Sequence, residues 1–154
     1  YDVYALDLSS LPKSVSAKLV SQRDDQFADS HGMAAVGRYV WSADRAGNNI
    51  EIIDTVSNLS VGSIDIVTDG NKDPAPDLLD NAPDNQYVFV SLRGPTPLTG
   101  NDKMAHNAKG TIPGVGVLHV DGGGKVGHYK GQATVTNMID GKETADPHGI
   151  AVRK

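Results

Sequence analysis

The sequence predicts an all-β protein made of short antiparallel strands, and three observations support this fold class. The 154 residues include 17 glycines and 8 prolines, while aromatic residues make up only 5%, a balance typical of short strands joined by tight turns. Short apolar segments recur along the chain, and several of them repeat at a spacing of about 48 residues. The apolar fraction of 38% is enough for one domain with a buried core.

The first repeated element is a strand that ends in aspartate. Residues 3–7 (VYALD) match residues 50–54 (IEIID), and both match residues 115–121 (VGVLHVD) with two extra residues. Apolar and polar positions alternate at the start of the second copy, which indicates a strand with two different faces.

Two further elements repeat in register with the first. Residues 39–45 (YVWSADR) match residues 87–93 (YVFVSLR) at an offset of 48 positions. Residues 29–33 (DSHGM) match residues 146–150 (DPHGI), and the intermediate copy at 77–81 (DLLDN) again begins 48 positions after the first. In this alignment a leucine of the intermediate copy stands opposite the histidine of the other two.

Together these elements define a unit of four short strands, which we name A to D. In the best-preserved copy the four strands are expected at 33–36, 39–43, 50–54 and 61–66. Turn-forming residues separate strands at 37–38, 83–86 and 121–124. We therefore expect antiparallel four-stranded units and almost no helix.

A repeat of this size and strand number predicts the blades of a β-propeller. The chain divides into strands C and D of one blade at 3–22, a whole blade at 29–66, a second whole blade at 77–129 and the start of another at 146–154. Propellers need roughly four to eight blades to close a ring. Other chain segments are therefore expected to complete this one. A β-sandwich or an ordinary meander is the alternative, which the in-register repeat makes less favourable.

The repeated sequences resemble the YVTN-type seven-bladed propellers. The resemblance rests on Asp-Pro-His-Gly-Ile-Ala-Val at 146–152, Tyr-Val-Phe-Val-Ser at 87–91 and Val-Gly-Val-Leu-His-Val-Asp at 115–121, and the repeat covers nearly the whole chain. It implies a propeller fold and a secreted or periplasmic location. The superfamily includes surface proteins of unknown role and lactonase-like enzymes, so the resemblance alone does not choose a function.

The antiparallel strand order predicts where a ligand would bind. The start of strand A and the end of strand B lie at the same end of a blade, and strand A is the innermost strand. Polar residues at these positions should therefore surround the mouth of the central channel, where we expect the ligand-binding site. The predicted site residues are Asp29, His31, Arg45, Asp77, Arg93, Asp146 and His148.

The histidines of this set have two interpretations. His31 and His148 come from different blades, so their imidazoles would be able to bind a divalent metal ion or polarise a substrate at the mouth. Alternatively, each histidine bonds the backbone of a neighbouring blade while the preceding aspartate caps free N–H groups of the loop. The second interpretation explains why the aspartate recurs in all three copies.

The arginines also have two interpretations. Arg45 and Arg93 would be able to gather a small anionic ligand, because a guanidinium group matches a carboxylate or a phosphate. Alternatively, they form ion pairs between blades with Asp29, Asp77 or Asp146 at the same end. The recurrence of arginine at one position of the repeat fits both.

The insertion at 94–113 is much longer than the corresponding loop of the first copy. Long loops without regular structure are frequently functional, so this one is expected to serve as a lid or partner-binding flap, or else to be a tolerated insertion. Its notable residues are Pro95, Pro97, Gly100, Lys103, His106 and Lys109.

Charge and composition exclude several classes of function. The net charge of −5 without any basic run argues against nucleic acid as a partner, and no apolar stretch is long enough for membrane insertion. The absence of cysteine excludes thiolate metal sites and cysteine nucleophiles. The sequence thus predicts a non-catalytic propeller that binds a ligand or a protein partner. The alternative is a lactonase-like or metal-dependent enzyme with its site at the channel mouth.

Overall fold

A computed structural model describes residues 2–22, 29–97 and 109–153 of the chain. It confirms the all-β fold class, because these residues form strands with a single 3-10 turn, Gly122–Gly124, as their one helical element. The strands in chain order are β1 (Asp2–Asp7), β2 (Ser16–Gln22), β3 (Ser30–Val36), β4 (Tyr39–Asp44), β5 (Asn49–Asp54), β6 (Leu59–Asp65), β7 (Pro76–Asn81), β8 (Tyr87–Leu92), β9 (Gly114–Asp121), β10 (Val126–Thr134), β11 (Met138–Ile139) and β12 (Lys142–Glu143).

The first four-stranded sheet has the order β3-β4-β5-β6, with all neighbours antiparallel. Each strand pairs with the next one along the chain, because the connecting turns are short. Between β3 and β4 the turn is only Gly37-Arg38, and Gly37 has a φ of 60°, a left-handed conformation that glycine adopts without strain. The four strands lie within a few residues of the predicted positions.

The second four-stranded sheet has the order β10-β9-β8-β7 and repeats the same antiparallel arrangement. Its last connection is the 3-10 turn, where φ is 56°, 66° and 100° at Gly122, Gly123 and Gly124. Three successive left-handed residues explain why this turn needs three glycines. The predicted four-stranded antiparallel units are therefore confirmed for both sheets.

The two sheets pack face to face around a shared apolar core. Trp41 of β4 is fully buried, and its indole Nε1 donates a hydrogen bond of 2.8 Å to the carbonyl oxygen of Gly124. On β10, a Cβ atom at Gly127 would overlap Trp41 and Ile64, so glycine allows the close approach. The largest fully buried apolar side chains of this core are Trp41, Ile50, Ile66, Leu92, Leu118, Val36, Val88 and Val90.

Two small hairpins accompany these sheets. β1 pairs with β2 at one end of the described chain, and β11 pairs with β12 at the other. The β11–β12 hairpin has no counterpart in the prediction. Conversely, residues 146–152 were expected to open a strand but form none, because no described strand is hydrogen-bonded beside them. No closed ring of sheets forms within the described residues.

Strand pairing corrects one detail of the predicted repeat. The sequence offset places Asp77 opposite Asp29, whereas the backbone N–H of Arg45 donates to Asp29 (2.9 Å) and that of Arg93 donates to Ala75 (3.3 Å). The strand β7 is thus shifted by two residues relative to β3, because the turn at 83–86 is two residues longer than Gly37-Arg38. Asp77 therefore stands where the first sheet has His31, and Leu79 is a buried core residue.

Candidate metal centre at the sheet junction

The edge strands β3 and β7 of the two sheets meet at the ends that carry the predicted site residues. Gly32 of β3 lies directly against the backbone of β7, where a Cβ atom would collide with the carbonyl oxygen of Asp77. This close approach brings His31 next to Asp77. Arg45 and Arg93 follow the ends of β4 and β8 at the same end of the sheets. The structure brings all the predicted site residues into one group, which we call the rim cluster: Asp29, His31, Arg45, Asp77, Arg93, Asp146 and His148.

Asp77 lies at the centre of the rim cluster and is completely buried. Its Oδ2 atom accepts hydrogen bonds from Nη1 of Arg93 at 2.5 Å and from Nη1 of Arg45 at 3.2 Å. Two guanidinium groups, one from each sheet, thereby share a single carboxylate. A buried charge needs this kind of pairing, because desolvation without a partner is very costly.

Two further carboxylates occupy the outer sides of the arginines. Asp29 accepts bonds of 2.8 Å from both Nε and Nη2 of Arg45, and Asp146 accepts from Nε and Nη2 of Arg93 at 2.6 and 2.8 Å. Burial opposes the charge of Arg93, but its hydrogen bonds to Asp146 and Asp77 outweigh this and raise its pKa. The structure thus confirms the ion pairs between the arginines and the three aspartates.

The two histidines lie beside different oxygens of Asp77. Nε2 of His31 lies 2.8 Å from Oδ1 of Asp77, and Nε2 of His148 lies 3.8 Å from Oδ2. The two rings meet edge to face with centroids 5.7 Å apart. One interpretation predicted that each histidine bonds the backbone of a neighbouring blade. His31 instead contacts a carboxylate of the neighbouring sheet.

The ligand atoms of His31, Asp77 and His148 have the spacing of a metal site. They all lie within 4.8 Å of one another, and no other such group of three exists among the described residues. Metal–ligand bonds of about 2.0–2.2 Å place two ligands of one ion at most about 4.4 Å apart. Small side-chain rotations would therefore bring the three atoms to bonding distance.

Two properties of Asp77 and His31 suit a metal ion. Within the described part of the chain, the buried Oδ1 of Asp77 accepts no well-aligned hydrogen bond, although His31 lies beside it. Burial lowers the pKa of His31 below its usual value, since desolvation outweighs the attraction of Asp77. A lower pKa favours the neutral imidazole, which is the form that binds a metal ion.

The charges of the rim cluster favour a cation over an anion. Its three carboxylates face two guanidinium groups, which leaves one net negative charge while the histidines are neutral. Arg45 and Arg93 are 5% and 0% exposed and both are already bonded to carboxylates. A small anion would have to displace these bonds.

The sequence interpretation did not place Asp77 beside His31 and His148 as a candidate ligand, because identity with Asp29 assigned it to the wrong position of the repeat. The length of the turn at 83–86 was the signal that would have revealed the shift. Of the long loop at 94–113, residues 98–108, with Gly100, Lys103 and His106, lie outside the described residues. The described part adjoins the rim, since Gly94 packs against Ala145.

Comparison with known proteins does not assign the chain to a family. No protein-family model matches it, and no curated protein matches it either. In the described ranges, no helix has the length and apolar character needed to cross a membrane. The function is therefore inferred from the geometry of the rim cluster.

Proposed function

We propose that this chain is part of a β-propeller whose rim binds one divalent transition-metal ion through His31, Asp77 and His148. One observation carries the proposal: the same position of three successive repeats supplies all three ligands. Strand pairing places Asp77 where the first sheet has His31, and the repeated Asp-x-His-Gly sequence places His148 likewise. The repeat thereby brings the ligand atoms of three residues within 4.8 Å of one another, close enough to share one ion.

The ligand types favour a first-row ion such as Zn²⁺ over Ca²⁺ or Mg²⁺. Two imidazole nitrogens and one carboxylate suit borderline ions, whereas Ca²⁺ and Mg²⁺ prefer oxygen ligands throughout. Hydrogen bonds from both arginines also fix the orientation of the Asp77 carboxylate, as is usual for a carboxylate that binds a metal ion. Binding of a divalent ion would offset the net negative charge of the rim cluster and leave one net positive charge.

The propeller arrangement is supported by the two consecutive four-stranded sheets that pack face to face with their inner strands adjacent. In this arrangement, further repeats would continue the stack until it closes. The resemblance to the YVTN-type repeat is the support for a secreted or periplasmic location.

Metal titration of the purified chain tests the proposed site. We expect saturable binding of one Zn²⁺ per chain by calorimetry, and a Co²⁺ complex with visible absorption bands of a four- or five-coordinate ion. His31→Ala and His148→Ala should each weaken Zn²⁺ binding by about tenfold or more, because each removes one of three ligands. Urea unfolding of the metal-free variants checks that the fold is retained.

His128→Ala is the matched control. His128 is an exposed histidine that contacts Asp121 on the second sheet, outside the rim cluster. Its removal should leave Zn²⁺ affinity unchanged. Equal Zn²⁺ affinity for His31→Ala and wild type, or no saturable binding by the wild-type chain, would rule out the metal site.

A metal-dependent hydrolase is the second candidate, and the exposure of the site favours it. The side chains of His31 and His148 are 29% and 48% exposed, so an ion held by three residues would keep an open position toward solvent. Catalytic zinc sites have this arrangement, with a water molecule as the fourth ligand. Hydrolysis of a model lactone by the Zn²⁺-loaded chain, abolished by His148→Ala, would select the enzyme over a non-catalytic binding protein.

A further inference from the structure

A large apolar cleft separates the β1–β2 hairpin from the first four-stranded sheet. Its volume is about 560 Å³, and it lies on the face of the sheet opposite the shared core. Tyr4 and Leu6 of β1 and Met33 of β3 line it, and their exposed fractions are 53%, 59% and 47%. Large apolar side chains that line a cleft from both walls mark a site of interaction.

The edge of β1 that lines this cleft has no described partner strand. The sequence of β1 matches that of β5, which lies between β4 and β6 in the first sheet. β1 pairs with β2 alone. An unpaired edge presents free N–H and C=O groups that are ready to accept another strand.

The junction between the two large sheets shows what is missing at the cleft. There, β6 contacts β10, while β3 and β4 both contact β7. At the other face of the first sheet, β2 contacts β6 in the same way. At the junction, β7 packs against β3 and β4. On the other face of the first sheet, no described strand packs against β3 and β4 in this way. The cleft is the space that two such strands would fill.

We propose that the cleft binds an antiparallel pair of β-strands with the pattern of strands A and B of this repeat, the second of which hydrogen-bonds to β1. The partner is thus recognised by its chemistry: a short strand that begins Asp-x-His-Gly, a tight turn, and a strand with alternating aromatic and small residues. β1 extends its sheet by strand addition, and the apolar cleft walls select the side chains. This inference rests on the repeat arrangement proposed above and not on the metal site.

A synthetic peptide that copies residues 29–45 of this chain is the probe. We expect saturable binding to the full chain by NMR titration, together with slower hydrogen exchange of the β1 amides. Because an isolated strand pair is only marginally stable, the same segment is also fused ahead of Tyr1 through a flexible linker, which raises its effective concentration to roughly millimolar. The fusion should raise the melting temperature, and a fusion with a scrambled segment should not.

Variants of the cleft wall locate the binding. Leu6→Asp and Met33→Asp should weaken peptide binding by about tenfold or more, because each places a charge where an apolar contact is expected. Met138→Asp is the matched control, since Met138 is equally exposed at 60% but lies on β11, away from the cleft. Both wall residues are exposed, so the fold should persist in all three variants.

Three results would overturn the inference. The first is absence of peptide binding together with a fusion that neither stabilises the chain nor protects β1. The second is binding that Leu6→Asp and Met33→Asp leave unchanged. The third is concentration-dependent dimerisation that both wall variants abolish, which would identify a second copy as the occupant. Zn²⁺ titration of the same samples reports the metal site independently, so failure of one proposal is distinguishable from failure of the other.

Discussion

At the scale of single residues, the rim cluster depends on one carboxylate that serves three purposes. Asp77 bonds two arginines from different sheets, faces His31 with its other oxygen, and lies where β7 meets β3. A carboxylate buried this completely is tolerated only because the guanidinium groups compensate its lost hydration. The proposed metal ligand is therefore also a structural residue, which is why metal binding and stability must be measured separately.

We predict that Asp77→Asn destabilises the metal-free chain much more than Asp29→Asn does. Removal of one partner from a buried ion pair costs about 3–5 kcal/mol, because the remaining charges stay desolvated. The side chain of Asp29 is 25% exposed and Arg45 keeps its bond to Asp77, so water can replace part of the lost contact and the destabilisation should be smaller. Urea unfolding monitored by circular dichroism gives both values. Similar losses in the two variants would show that Asp77 does not hold the junction.

At the scale of strands and turns, aspartates at strand ends stabilise the connections. Asp7 at the end of β1 accepts a hydrogen bond of 2.9 Å from the N–H of Ser9, and Asp54 at the end of β5 accepts one of the same length from Val56. These bonds to backbone N–H groups lower the pKa of both carboxyls below the usual value of 3.8. The two copies of the repeat thus use the same turn chemistry.

The pH dependence of stability should reflect these turns. A carboxyl whose pKa is lower in the folded state contributes stability above pH 3.8 and loses it as the pH falls through the folded value. Asp54→Asn removes one such group, so its free energy of unfolding should fall less steeply than that of wild type between pH 4 and pH 2. Asp69→Asn, at a fully exposed position, is the control. Parallel curves for Asp54→Asn and wild type would contradict this.

The strands were predictable from sequence where local pattern and repeat agreed, and less so where a turn changed length. β4 and β5 begin within one residue of the prediction, because both are rich in apolar residues and turn residues bound them on either side. The aligned aspartates misplaced Asp77, since strand register depends on hydrogen-bonded pairs that identity does not reveal. The strands of the β11–β12 hairpin have two residues each and belong to no repeat, so the sequence pattern did not predict them.

At the scale of the whole molecule, the two four-stranded sheets are held together by close packing at a few positions. Trp41 reaches from β4 across to the turn and first residues of the facing outer strand, where Gly124 accepts its hydrogen bond. The position of the rim cluster follows from this packing, because the junction that buries Trp41 also sets β3 against β7. The sequence predicted that the site residues share one end of the sheets. It did not predict that Gly127 packs against the indole ring of Trp41, because that contact joins residues far apart in the chain.

Gly127→Ala tests the sheet packing directly. A Cβ atom at Gly127 would overlap Ile64 and Trp41, so the substitution should destabilise the chain by about 1–3 kcal/mol, the usual cost of overpacking. Gly62→Ala is the matched control, because Gly62 lies in the equivalent outer strand β6 and has no atom within 4 Å of a Cβ. We expect it to be neutral or to stabilise by up to about 1 kcal/mol, since alanine loses less backbone entropy than glycine.

Fluorescence of Trp41, which is the single tryptophan of the chain, reports on this junction during urea unfolding. In Gly127→Ala the native emission should also shift to the red, because a displaced indole ring gains contact with solvent. His31 and Asp77 lie on the facing strands β3 and β7, so a shift of the sheets relative to each other should in addition weaken Zn²⁺ binding. If Gly127→Ala and Gly62→Ala behave alike in stability and emission, the two sheets do not pack through Trp41, and the position of His31 beside Asp77 loses its physical basis.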